Sequence, residues 1–101
     1  MTSKVLWEKR ARSDREAIFF YLYHQAGLQV ASATDDRFVS MADILKKNPL
    51  TGMKAGLRKK QRKLVVPRFP FIIVYIVEDD TVHILRILHT SRRIAARYRI
   101  G

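Results

Sequence analysis

Phe69–His89 reads FPFIIVYIVEDDTVHILRILH, two apolar runs joined by an acidic corner. Each run is too short to cross a membrane. Both are rich in β-branched and aromatic residues, so a β-hairpin is the economical reading. A two-residue turn at Asp79 and Asp80 pairs Val77 with Val82, Tyr75 with Ile84, Ile73 with Arg86 and Phe71 with Leu88 on one face. The other face then carries Ile76 with His83, Val74 with Leu85, Ile72 with Ile87 and Pro70 with His89. The register holds to within one residue, since a slip exchanges partners across the ladder. Both faces are mostly apolar, which places the hairpin in the middle of a sheet that needs cover on both sides.

Upstream, Lys4–Glu8 reads as a short strand. Ser13, Asp14, Arg15 and Glu16 match a capping box that starts a helix, with Ala17, Phe20, Tyr21, His24 and Leu28 at helical spacing. The run IFFYLY alone would suit a strand; the cap and the length favour helix. Gly27 marks its end or a bend. A second helix is expected from about Gln29 to Lys47, with Thr34, Phe38, Met41, Ala42 and Leu45 as its apolar stripe and Asp35, Asp36, Arg37 and Asp43 away from it. Asn48-Pro49 stops it. Leu50–Lys60 reads as a loop, Arg62–Val66 as a strand ended by Pro67, and Ser91 caps a short basic helix through Arg99. The order β-α-α-β-β-β-(α) defines one α+β domain over residues 1–101: an antiparallel helix hairpin on one face of a small, mainly antiparallel sheet. Two helices cover one face only. The second apolar face is then a groove or a docking surface.

The composition, 48% hydrophobic and 29% charged, is globular and excludes a disordered chain. Cysteine is absent, so disulfides and thiolate metal sites are excluded. With no signal-peptide core at the N-terminus, a cytoplasmic location is expected. The net charge of +11 is unevenly spread. Lys54, Arg58, Lys59, Lys60, Arg62, Lys63 and Arg68 lie in one acid-free block, and Arg86, Arg92, Arg93, Arg97 and Arg99 in another. Such a field favours a polyanionic partner: nucleic acid, a ribosome or an acidic protein segment.

A glycine-rich phosphate loop is missing, and His24, His83 and His89 lack ligand-like spacing, so neither metal nor cofactor is expected. In the paired strands His83 and His89 fall on one face, ~20 Å apart. Glu78, Asp79 and Asp80 are turn residues rather than an acid–base pair. Cations, imidazoles and phenols remain. A metal-free ribonuclease works with these: a base for the ribose 2′-hydroxyl, cations for the crowded phosphate and an acid for the leaving oxygen. Arginine suits the phosphate because its planar fork binds two oxygens. The candidates are Lys63, Arg68, Arg86, His89, Arg92, Arg93 and Tyr98. Each also has a structural reading: Arg86 paired with an acid, His89 as a hydrogen-bonded imidazole, Tyr98 packed back on the sheet.

Pro49 and Gly52, then Gly56-Leu57-Arg58, FPFIIVY (69–75), Asp79/Asp80 and ILRILHTSR (84–92) follow one another in an order that resembles the RelE/ParE superfamily of bacterial toxins from type II toxin–antitoxin modules. Trp7, Ala11, Asp14, Ile18 and Tyr21 also look like the family's first strand and helix. The resemblance implies a helix hairpin on a small sheet, a bacterial cytoplasmic toxin, and a cognate antitoxin that covers the exposed apolar face. It implies one of two targets. RelE-like members cleave mRNA in the ribosomal decoding site with basic residues and a late tyrosine; ParE-like members inhibit DNA gyrase.

Residue by residue, the RelE-like pattern is matched by Lys63 before the hairpin, by Arg92 after the last strand and by Tyr98, with His89 as a further candidate. The family's strand arginine falls at Ile72, and an isoleucine cannot stabilise a pentavalent phosphate. The resemblance therefore leans to gyrase inhibition, in which Arg58, Arg62, Arg68, Arg86, Arg93 and Arg97 are contacts to a partner or to nucleic acid. Ribosome-dependent mRNA cleavage by Arg92, Tyr98, Lys63 and His89 is the alternative.

Overall fold

A computed structural model describes residues 4–55 and 60–90. The expected C-terminal helix, together with Arg58, Arg92, Arg93, Arg97 and Tyr98, lies outside the described residues.

The elements run β1 (Lys4–Trp7), α1 (Lys9–Ala26), α2 (Leu28–Lys47), β2 (Met53–Lys54), β3 (Arg62–Val65), β4 (Phe71–Glu78) and β5 (Thr81–His89). The five strands form one sheet in the order β1-β5-β4-β3-β2. β1 lies parallel to β5, and the other neighbours are antiparallel. The expected α+β architecture is therefore the observed one, with the β4–β5 hairpin at the centre.

At the acidic corner Asp79 and Asp80 both take positive φ, 49° and 62°, as a two-residue hairpin turn requires. The ladder follows the expected register from Val77↔Val82 to Tyr75↔Ile84. It then departs. A β-bulge between Val74 and Tyr75 leaves Leu85 without a partner, and the pairs beyond it are Val74↔Arg86, Ile73↔Ile87, Ile72↔Leu88 and Phe71↔His89. The reason lies in β5: strict alternation would have put Arg86 on the core face, whereas the extra residue seats Ile84 and Ile87 there, both fully buried. A consequence is that His83, opposite Ile76, and His89, opposite Phe71, point to opposite faces rather than sharing one.

α1 starts five residues earlier than the capping box implies. Glu8 is its N-cap, without a side-chain cap bond. Parallel pairing carries β1 as far as Trp7↔Ile84, and the Glu8 N–H bonds Ile84 O, which fixes where the helix begins. Asp14 is then free to turn inward, and the buried stripe is Ala11, Asp14 and Ile18, with Tyr21 and Leu22 packed against the core. Phe20 and His24, assigned to that stripe from sequence, are exposed. Gly27 alone separates the helices. Its φ of 94° suits glycine, and it both ends α1 and opens α2. The α2 stripe holds as expected: Ala31, Thr34, Phe38, Met41, Ala42 and Leu45 are buried.

Phe71, Ile73, Tyr75, Val82, Ile84 and Ile87 form the helix-covered face of the sheet, where Phe38 stacks edge-on against Phe71 with ring centroids 5.2 Å apart. By register, Leu6, His83 and Ile76, then Val74, Lys63 and Met53, then Leu88, Ile72 and Val65 share the opposite face. No described helix packs there, and Leu6, Met53 and Val65 are at least half exposed.

Candidate functional site

Where β1 ends, the far half of β5 loses its neighbour, and its backbone N–H groups need other acceptors. Asp14 supplies one. Its Oδ2 accepts from the Ile87 N–H at 2.8 Å and from Arg86 Nε at 2.8 Å, and its Oδ1 accepts from the second guanidinium nitrogen at 3.2 Å. Both side chains are largely buried, at 6% and 15% exposure. A pair this deep adds little net stability, but removing one partner strands the other charge. Arg86 thus has an internal partner. It also borders a groove of about 550 Å³ whose wall includes Lys9, Arg10, Gln61, Val74 and Leu85.

A second node ties the loop after α2 to the sheet. The buried Tyr75 hydroxyl donates to Pro49 O at 2.8 Å and accepts the Gly52 N–H at 2.8 Å, while the Arg62 guanidinium donates to Gly52 O at 2.7 Å. A Cβ at Gly52 would sit 2.6 Å from the tyrosine oxygen and 2.7 Å from Lys63 O, so only glycine fits this approach. Burial raises the Tyr75 pKa above 10.0, against the opposing pull of the Gly52 hydrogen bond and the Arg62 charge. Arg62, read as a partner contact from sequence, is therefore engaged in holding this loop.

The candidate residues do not gather in one place. Lys63, opposite Val74, belongs to the face without helices; His89, opposite Phe71, belongs to the helix-covered side and stacks on the Phe71 ring at 5.1 Å. Ile72 is on the face of Lys63 and brings no charge to it. Arg68 occupies the exposed turn between β3 and β4, at the end of the sheet where Thr90 N–H bonds Pro70 O. Two further pairs bind the helices and strands. The Arg15 guanidinium makes a bidentate contact to Asp35 at 2.9 and 2.8 Å and covers the Trp7 ring at 4.4 Å; His83 Nδ1 meets Glu8 Oε1 at 2.9 Å. Among the described residues no cluster of His, Cys, Asp or Glu could hold a metal ion, and no helix is long and apolar enough to cross a membrane.

Sequence reasoning missed Asp14 and Tyr75. The signal for Asp14 was available: Arg86 interrupts an apolar strand and needs an acid, and Asp14 stands between Ala11 and Ile18 on one helical stripe. For Tyr75, Pro49 and Gly52 had been singled out, but nothing local connects them to a tyrosine 23 residues further on.

The chain also matches known proteins. Residues 5–94 match the family described as the ParE toxin of the type II toxin–antitoxin system parDE, and the chain belongs to that family, within the RelE/ParE superfamily. Toxin RelE2 of Caulobacter vibrioides is 36% identical over 90 residues, 89% of this chain and 98% of that protein. Among solved structures, the chromosomal ParDE toxin–antitoxin system from P. aeruginosa superposes with a TM-score of 0.78 at 23% identity, over 87% of this chain and 96% of its own. The RelBE2 toxin–antitoxin complex of Mycobacterium tuberculosis gives 0.60 at 22% identity, over 88% and 99%. Both share the fold.

Proposed function

We propose that this chain arrests bacterial growth from the cytoplasm, is neutralised by a cognate antitoxin, and acts by contact with DNA gyrase in the ParE manner. One observation carries the choice of target. A phosphate-cleaving centre needs a base, an acid and clustered cations around one phosphate. Here Ile72 stands where the RelE-like pattern has its strand arginine, and Lys63 and His89 leave the sheet on opposite sides. The two further arginines on β3 and β5, Arg62 and Arg86, are occupied by Gly52 O and Asp14. The antitoxin reading is supported by the two toxin–antitoxin systems that share the fold, and by the apolar face that no described helix covers. Arg58, Arg68, Arg93 and Arg97 remain the proposed contacts to the target.

The second reading is ribosome-dependent mRNA cleavage by Arg92 and Tyr98 with Lys63 and His89. The 36% identity to a protein named RelE2 and the strongly positive chain favour it. Induced expression in a bacterial host separates the two. The gyrase reading expects relaxed plasmid with intact mRNA; codon-specific cleavage with normal supercoiling would replace it with the nuclease. If Arg92→Ala combined with Tyr98→Phe leaves growth arrest at the wild-type level, the nuclease roles of those residues are wrong.

A further inference from the structure

Three non-glycine residues among those described have positive φ, and two of them are the aspartates of the hairpin turn, a residue type that tolerates this conformation. The third is Arg68, at φ 68°. It is the third residue of a turn from Val66 to Phe69, closed by the Phe69 N–H on Val66 O at 3.3 Å, with Pro67 before it. A turn of this kind favours glycine or asparagine at that position, and an arginine there is strained. Nor does its side chain serve the fold. Arg68 is exposed, and among the described residues its guanidinium has no ion-pair or hydrogen-bond partner. Arg15, Arg62 and Arg86 each have one.

We propose that Arg68 contacts a nucleic-acid phosphate. The turn falls within a stretch without acids, 54–77, and Pro70 O is bonded to Thr90, within a second such stretch, 81–101. A run of cations without interspersed acids matches the regular spacing of a phosphate backbone better than an isolated carboxylate. The proposal gives the target-binding surface of the reading above a nucleic-acid component, such as the DNA held by gyrase or ribosomal RNA. It rests on that reading only for the identity of the target.

The test uses the purified full chain, so a failure to arrest growth refutes the toxin reading and leaves this one to its own result. Binding to a 20-base-pair DNA duplex and to a 20-nucleotide single-stranded RNA is titrated by anisotropy from low to physiological salt. Arg68→Gly is expected to lower the slope of log affinity against log salt by about 0.9 on the duplex or about 0.7 on the RNA. At 0.15 M salt this is a loss of roughly fivefold. The probe that shows the loss identifies the source of the phosphate. Arg68→Lys, which keeps the charge, should keep the slope. In thermal melts Arg68→Gly should raise the midpoint by about 3 °C, because strain is relieved. Arg68→Asn, the second variant, should match Arg68→Gly in binding. Unchanged affinity and slope on both probes would overturn the proposal, as would a wild-type chain that binds neither. A loss confined to a poly-glutamate competitor would overturn it too, by making the ligand a carboxylate.

Discussion

At its Asp79–Asp80 end the β4–β5 hairpin is held by a local turn and by a strand neighbour, β1, paired from Lys4↔Thr81 to Trp7↔Ile84. At its Phe71–His89 end it is held by Asp14, which lies 72 residues from Arg86 in sequence. The near half has a turn with two positive-φ aspartates, strict alternation and β1 along its free edge. The far half has outrun β1, so its edge is closed by a carboxylate from α1 and its register is displaced by a bulge. The contrast shows how a helix substitutes for a missing strand. It also shows that the half from which the basic C-terminal sequence follows is the half whose edge is closed by a side chain rather than by a strand.

The largest effect should come from breaking the distant contact. Asp14→Asn keeps the shape but leaves the Arg86 charge buried without its counter-charge, and should cost about 3 kcal/mol in urea denaturation. Amide exchange should then rise at Ile87, Leu88 and His89 more than at Val82 and Ile84. Equal protection in both halves would break the comparison.

Gly52→Ala acts where the loop after α2 meets the sheet; the new methyl must displace the Tyr75 hydroxyl or the backbone at Lys63, and should cost about 2 kcal/mol by the same measure. pH sharpens the same node. Burial holds the Tyr75 pKa above its unfolded value, so the neutral phenol's contribution is complete below pH 10.0 and is lost as pH rises through the folded value. Stability measured from pH 9 to 12 should fall more steeply in the wild type than in Tyr75→Phe.

The smallest change belongs to the local end. Asp80→Gly converts the corner to Asp-Gly, a favoured two-residue hairpin turn, and should stabilise by about 0.5 kcal/mol without altering exchange beyond the bulge.

Much of the fold was legible because it is written in local chemistry. The DD corner, the Gly27 break and the Thr34–Leu45 stripe each depend on residues a few positions apart, and each was placed correctly. The resemblance carried by Pro49, Gly52 and the hairpin likewise pointed to the family. The start of α1 was misplaced because Ser13 to Glu16 is a sound local cap, yet β1 pairing and the bonds of Asp14 to β5 outweigh it. The bulge was hidden for a related reason: nothing in ILRIL says which residue drops out of alternation until Asp14 is known to hold Arg86. The division of Lys63 and His89 between two faces follows from that bulge, so it too could be read only from the folded chain.

Inhibition of gyrase is tested by following supercoiling by purified DNA gyrase in the presence of the purified chain. The expected result is concentration-dependent loss of supercoiling, reversed by the cognate antitoxin, while mRNA on translating ribosomes stays intact at the same concentration. Full supercoiling beside codon-specific cleavage of that mRNA would contradict it.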